Sequence, residues 1–176
     1  MKSLFAALSI CALCCASAPA QMSRSAAMTD QQFVDFAAQT DMTEAHLGQL
    51  AADKATGQEV KDFAQMLVTD HTADYKALGT LATKAGLNVP KGLDAAHDKM
   101  IAPFEKLKGA AFDSHYEREM VTGHQKAIAQ YKQAAESLQN ADLKTYASQT
   151  LPTLEKHLQG AQDLAKSKGK KGASKM

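Results

Sequence analysis

The chain has 176 residues, a length that suits one domain with short additional segments. Its 20 Lys and Arg nearly balance its 19 Asp and Glu, so the formal net charge at pH 7 is only +1. It has no basic runs interleaved with aromatic residues, and this pattern disfavours nucleic-acid binding.

The first twenty residues have the pattern of a secretory signal peptide. Lys2 supplies the positive charge, and the apolar run over residues 4–15 is too short to span a membrane. Small residues before Gln21 predict cleavage near Ala20. All three cysteines lie in this segment, so the mature chain would have no disulfides and no thiolate chemistry. We therefore expect a soluble exported protein, periplasmic or secreted, without a transmembrane segment.

The rest of the sequence predicts an all-α protein. Ala, Leu, Lys, Gln and Glu dominate, and alternating runs of Val, Ile and Thr are missing. Apolar residues recur at steps of three and four, which is typical of helices that face a bundle core. Capping patterns at Thr29 with Gln32 and at Thr56 with Glu59, and a glycine stop at Gly86, mark the helix ends. Four long helices are predicted, over about 30–55, 58–85, 112–139 and 142–166.

The predicted second and third long helices are joined by a long connection, residues 87–111. Its residues 94–107 predict a short extra helix, capped by Asp94 and bent or interrupted near Pro103. A connection of this length could cross the bundle from end to end, as in ferritin-type bundles. We therefore predict that residues 30–165 form a ferritin-like four-helix bundle.

The last eleven residues carry five lysines among Gly and Ser. This composition predicts a basic disordered tail over residues 166–176. We favour a solvated chain end over a contact with anionic lipid or nucleic acid.

Four polar side chains interrupt the apolar stripes of the four long helices. They are Glu44, His71, His124 and His157, one on each helix. Each lies roughly 12–15 residues from the start of its helix, so at about 1.5 Å per residue all four lie within one turn of the bundle midplane. The sequence therefore predicts that they meet in one layer of the core.

Two interpretations of this layer remain open. Three imidazoles and a carboxylate suit a single Zn, Fe, Mn or Cu ion, with Asp70, Asp74 and Met120 as orienting groups or alternative ligands. Alternatively, the layer is a metal-free hydrogen-bond network that fixes the helix register. In either case the buried groups need partners, because burying unpaired imidazoles and carboxylates is costly.

Several kinds of catalysis are disfavoured. The chain has no glycine-rich phosphate loop, no Gly-x-Ser-x-Gly motif and no Glu-x-x-His motif of the kind that di-iron bundles use. Its nearest spacings, Glu44-Ala-His46 and Glu155-Lys-His157, do not match that motif. We predict no catalytic residues, and we expect His46, His97 and His115 at the surface.

Five stretches of the sequence match a known family. They are Glu44-Ala-His-Leu-Gly48, Met66-Leu-Val-Thr-Asp-His71, Phe112-Asp-Ser-His-Tyr116, Met120-Val-Thr-Gly-His124 and Leu151-Pro-Thr-Leu-Glu-Lys-His-Leu158. Through them the chain resembles DUF4142, a family of exported, ferritin-like bacterial proteins whose members are often labelled membrane or outer-membrane proteins. The resemblance covers residues 30–165 and implies the bundle fold and an envelope or secreted location, but no activity. It leaves open a non-catalytic bundle that binds another envelope protein, for example during stress, or a second copy of itself.

Overall fold

The computed structural model describes residues 27–173, and the predicted signal peptide lies outside this range. Within these residues the chain is helical and has no strand, which confirms the all-α, ferritin-like prediction. None of these helices is long and apolar enough to cross a membrane. The elements are α1 (Asp30–Lys54), α2 (Gln58–Lys84), α3 (Ala95–Lys106), α4 (Gly109–Ser137) and α5 (Ala141–Ala173).

The four long helices form two hairpins, α1 with α2 and α4 with α5, packed side by side. The Asp30 carboxylate at the start of α1 accepts hydrogen bonds from the backbone N–H groups of Gln139 and Asn140, in the turn between α4 and α5. At the same end, Lys84 at the end of α2 pairs with Asp142 at 2.7 Å. Helices α2 and α4 therefore run in the same direction, and the connection between them must return along the bundle.

The connection between α2 and α4 follows α1 from its start to its end. The Gln31 amide bonds the backbone of Asn88 near the start of α1. Near the other end, the Lys54 ammonium donates to the Glu105 carbonyl at 2.7 Å. The connection thus crosses the length of the bundle, as the sequence predicted, and it places α3 against α1 and α4.

Of the end signals predicted for α1 and α2, two are confirmed by the structure and one is wrong. Thr29 and Gln32 form the predicted capping box of α1. Gly86 has a φ of 72°, a left-handed conformation that favours glycine, and it ends α2 as predicted. The predicted box of Thr56 with Glu59 is wrong, because the N-cap of α2 is Gly57, which has no side chain to accept a hydrogen bond.

The predicted bounds of the last two helices differ from the observed ones, by a few residues in α4 and at the C-terminal end in α5. Helix α4 begins at Gly109 instead of Phe112. Helix α5 continues to Ala173, so the boundary predicted between bundle and tail at Lys166 falls inside a helix. Lysine is a good helix former, and a helix can therefore extend through a Lys-rich segment that composition alone assigns to a tail.

The core consists of two apolar clusters with the histidines between them. One cluster includes Leu78 and Leu154, and the other includes Leu67, Met120 and Ala161. Along α2, α4 and α5, each layer histidine falls between residues of the first cluster and residues of the second. The fold thus places a polar layer at mid-height of the bundle, between two apolar clusters.

Candidate metal centre

The structure brings three of the four predicted layer residues together. The imidazoles of His71, His124 and His157 are each only 1% exposed. Their ring centroids are separated by 5.8 Å (His71–His124), 5.4 Å (His71–His157) and 5.3 Å (His124–His157). One ring nitrogen from each lies within 4.8 Å of the other two, which makes the group a possible metal site.

One nitrogen of each ring is held by a hydrogen bond that points away from the group. His124 Nδ1 donates to the Met120 carbonyl at 2.8 Å, and His71 Nδ1 donates to the Asp41 carboxylate at 2.9 Å. His157 Nε2 donates to the Asp70 carboxylate at 2.8 Å. Carbonyls and carboxylates accept these bonds, so the proton of each neutral ring lies on the outward nitrogen.

The second nitrogen of each ring has no partner among the described protein groups. These atoms are His71 Nε2, His124 Nε2 and His157 Nδ1. In a neutral ring that is protonated on the hydrogen-bonded nitrogen, this second nitrogen carries a buried lone pair that no described protein group uses. Metal-binding histidines typically show this arrangement, in which a carboxylate or carbonyl orients the ring and leaves the other nitrogen for the ion.

The separation of the three rings is close to that of a metal-bound set. Nitrogens bound to one zinc or copper ion at about 2.1 Å lie roughly 3.4 Å from one another. The observed limit of 4.8 Å means that modest side-chain movements would bring the three nitrogens to bonding distance. Three imidazoles without a carboxylate suit copper and zinc better than manganese, which prefers oxygen ligands.

Burial keeps two of the rings neutral. Burial, with a smaller contribution from the nearby His71, lowers the pKa of His124 from 6.5 to about 3. Burial also lowers the pKa of His157, against the opposing hydrogen bond from Asp70. Both rings are therefore unprotonated at neutral pH, which is the form that binds metal ions.

The third ring shares a proton with Asp41. Burial disfavours the charged form of His71, but the Asp41 hydrogen bond and nearby carboxylates outweigh it and raise the His71 pKa above 6.5. Burial likewise raises the pKa of Asp41 from 3.8 to about 6. The His71–Asp41 pair therefore binds a proton more readily than a free imidazole does, and this proton competes with an incoming cation.

Glu44 lies beside the three imidazoles without joining them. Its Oε1 is 3.8 Å from His124 Nδ1, and its charge also acts on His71. The carboxylate thus lies next to the group but outside the set of atoms that are within 4.8 Å of one another. Burial raises the Glu44 pKa from 4.5 to about 7, and its Oε2 has no protein partner among the described residues.

The other predicted candidates have different positions. Asp70 orients His157 from the half-exposed edge of the layer. Met120 contributes its backbone carbonyl to His124. Asp74 lies near enough to His71 to influence its pKa. His46, predicted at the surface, is half-buried.

Asp41 was not among the site residues predicted from the sequence. It is 1% exposed and orients His71, yet it lies beside the stripe that was assigned to the first helix. One signal was available, because Asp41 follows Ala37 by four residues and precedes Glu44 by three, so it shares their helix face.

The chain belongs to the DUF4142 family, a domain of unknown function, whose family model matches residues 15–164. No curated protein matches the chain at a significant level.

Several solved structures share the fold. CopM in the Cu(II)-bound form has a TM-score of 0.66 at 17% identity, and the match covers 79% of this chain and 97% of CopM. CopM in the Ag-bound form gives 0.64 at 16% identity, over 79% and 96%. A secreted DUF305 protein from Streptomyces coelicolor gives 0.64 at 14% identity, over 79% and 92%. At these identities the likeness shows a common fold.

Proposed function

We propose that this protein binds one transition-metal ion, copper in preference to zinc, through His71 Nε2, His124 Nε2 and His157 Nδ1. The observation that carries the proposal is that each ring has one hydrogen-bonded nitrogen and one nitrogen without a partner. One nitrogen of each ring is hydrogen-bonded to a group outside the trio, the other has no partner among the described protein groups, and the three rings each offer a nitrogen within 4.8 Å of the other two.

This pattern favours a ligand site over a self-sufficient hydrogen-bond network. A structural network would satisfy its members by pairing them with one another, because each unpaired buried polar atom costs about 1–3 kcal/mol. In this layer the bonds run outward to Asp41, Met120 and Asp70, and no bond joins two of the three rings. A cation at the centre would satisfy all three lone pairs at once.

The preference for copper has two supports. Imidazole suits several late transition metals, and for a given nitrogen site Cu²⁺ binds more tightly than the other divalent ions of the first row. In addition, the structural neighbour CopM has been crystallised with Cu(II) and with silver. The signal-peptide pattern and the secreted DUF305 neighbour support a location outside the cytoplasm, where the protein would take up or buffer the ion.

The direct test is the metal content of the mature protein. Residues 21–176 would be purified without chelators, and copper and zinc would be measured by mass spectrometry before and after addition of each ion. We expect one ion per chain in the wild type and in the control His46→Ala, which removes a histidine outside the group. We expect none in His124→Leu. A wild type that binds no ion, and whose melting temperature does not rise with added copper or zinc, would contradict the proposal.

A further inference from the structure

A cavity of about 250 Å³ opens beside the layer, between α1, α3 and α4. Its inner wall is formed by Thr43 and Glu44, which are 4% and 5% exposed. Neither Thr43 Oγ1 nor Glu44 Oε2 has a partner among the described protein groups. Two buried, unpartnered oxygen atoms at the wall of a cavity indicate that it receives a polar or charged guest.

The inner end of this cavity is one side chain away from the histidines. Glu44 lines the cavity, and its other oxygen lies 3.8 Å from His124 Nδ1. Gly123 leaves room for this carboxylate, because a Cβ at that position would lie 3.1 Å from Glu44 Oε1. An ion at Glu44 would therefore lie next to the His124 ring.

The remaining walls carry side chains that suit a metal ion. His97 and Met100 line the cavity from α3, three residues apart and so on the same helix face, and Glu119 lines it from α4. Imidazole, thioether and carboxylate together accept both cuprous and cupric ions. One opposing charge, Lys126, lines the cavity with its ammonium 5.9 Å from the ring centroid of Phe36.

We propose that this cavity is the entry path of the metal ion, and that Glu44 receives the ion before it passes His124 to reach the three imidazoles. The inference rests on the proposed function of the layer. Transfer is an exchange of ligands in which the ion keeps its oxidation state. It ends when the ion leaves Glu44 for the three ring nitrogens of the proposed site.

The alternative entrance is a depression of about 280 Å³ on the opposite side, between α2 and α5. It reaches the layer through Asp70, but that carboxylate already accepts the Nε2–H of His157, and Lys156 lies beside it. The Asp70 side chain is also 40% exposed, whereas Glu44 Oε2 and Thr43 Oγ1 are buried without a partner among the described protein groups. This difference favours entry at Glu44.

Two matched variants separate the two entrances. Thr122→Phe places a large ring at an exposed position of α4 at the mouth of the cavity, and Ala73→Phe does the same at an exposed position of α2 beside Asp70. Glu44→Gln keeps the shape of the inner wall but removes its charge. Stopped-flow mixing of each apo protein with Cu²⁺ would give the uptake rate, and equilibrium titration would give the stoichiometry.

We expect Thr122→Phe and Glu44→Gln to slow Cu²⁺ uptake by about tenfold or more, while Ala73→Phe takes up copper at the wild-type rate. The stoichiometry should stay at one ion in all three. Slowing by Ala73→Phe alone, or equal rates in all variants, would overturn the entry path and leave the imidazole site intact. Loss of equilibrium binding in Thr122→Phe would also overturn it. A wild type without copper binding would instead refute the proposed function.

Discussion

Two buried polar clusters occupy the core, and they differ in how their atoms are satisfied. Asp113, near the start of α4, is 3% exposed. Its carboxylate accepts three hydrogen bonds at 2.9–3.1 Å, from the backbone and hydroxyl of Thr56 and from the backbone of Gly57. The histidine layer is equally buried, but each ring has one nitrogen without a protein partner.

The contrast shows how a structural polar cluster and a binding site can be told apart. Asp113 joins the α1–α2 turn to α4, and both of its oxygens are used in doing so. The three rings are held in place by their outward bonds, while their inward lone pairs converge. We therefore assign Asp113 to stability and the layer to binding, and each prediction below tests this division.

The largest effect is expected from removing one ring of the layer. His124→Leu should lower copper affinity by more than about 100-fold, beyond the range for residues that only orient a ligand. The apo variant should unfold at the same free energy as the wild type or a higher one, because leucine replaces a buried ring with an unpaired nitrogen. Titration and chemical unfolding measure the two quantities. A large loss of stability in the apo variant would instead show that the histidine layer stabilises the fold.

Replacing Asp113 should lower stability and leave copper affinity unchanged. Asp113→Ala leaves the backbone N–H groups of Thr56 and Gly57 without their acceptor, so the free energy of unfolding should fall by about 2–3 kcal/mol. Copper affinity, measured below the unfolding transition, should not change. Unfolding in urea with and without bound copper tests both parts, and a selective loss of copper affinity would break the comparison.

A smaller effect is expected at the residues that orient the rings. Asp41→Ala should reduce copper affinity by about 10–100-fold with one ion still bound, because His71 loses its only orienting partner. Asp70→Ala should cost less than about tenfold, because the Asp70 side chain is 40% exposed and water can replace it. Competition with a chelator of known affinity ranks the two. The reverse order would show that His157 depends more on its orienting partner than His71 does.

Copper affinity should depend on pH with a slope of about one proton, and it should only fall as pH decreases. The hydrogen bond to Asp41 and the nearby carboxylates raise the pKa of His71 against the effect of burial, so protons compete with copper and copper affinity should fall as pH decreases, by up to about tenfold per unit for one displaced proton. His124, with a pKa of about 3, adds nothing to this slope above pH 5. Affinities measured at pH 5, 6 and 7 give the slope. A slope of three protons would mean that all three rings are protonated in the apo protein.

The sequence was sufficient for the architecture and for the convergence of the rings. Helix periodicity and mid-helix position fix which residues share a layer, so His71, His124 and His157 could be grouped without coordinates. Periodicity does not fix which nitrogen of a ring points inward, nor on which side of His124 the Glu44 carboxylate lies. Asp41 was missed for the same reason, since a residue at the edge of a stripe is buried or exposed according to how closely two helices approach.

The approach of α1 and α2 is a contact that no single-helix pattern reveals. A Cβ at Gly48 would lie 2.6 Å from the Val68 side chain and 2.9 Å from the Ala64 carbonyl, so this glycine lets the two helices come together. The predicted capping box at Thr56 failed for a similar reason, because its hydroxyl bonds Asp113 from a distant part of the chain.

The most direct measurement of the central claim is X-ray absorption spectroscopy of the copper-loaded mature protein. If three inward nitrogens hold the ion, the spectrum will show three imidazole nitrogens at about 2.0–2.1 Å, and the His46→Ala spectrum will be identical. A first coordination sphere of oxygen or sulfur, or one with fewer than two imidazoles, would contradict the assignment.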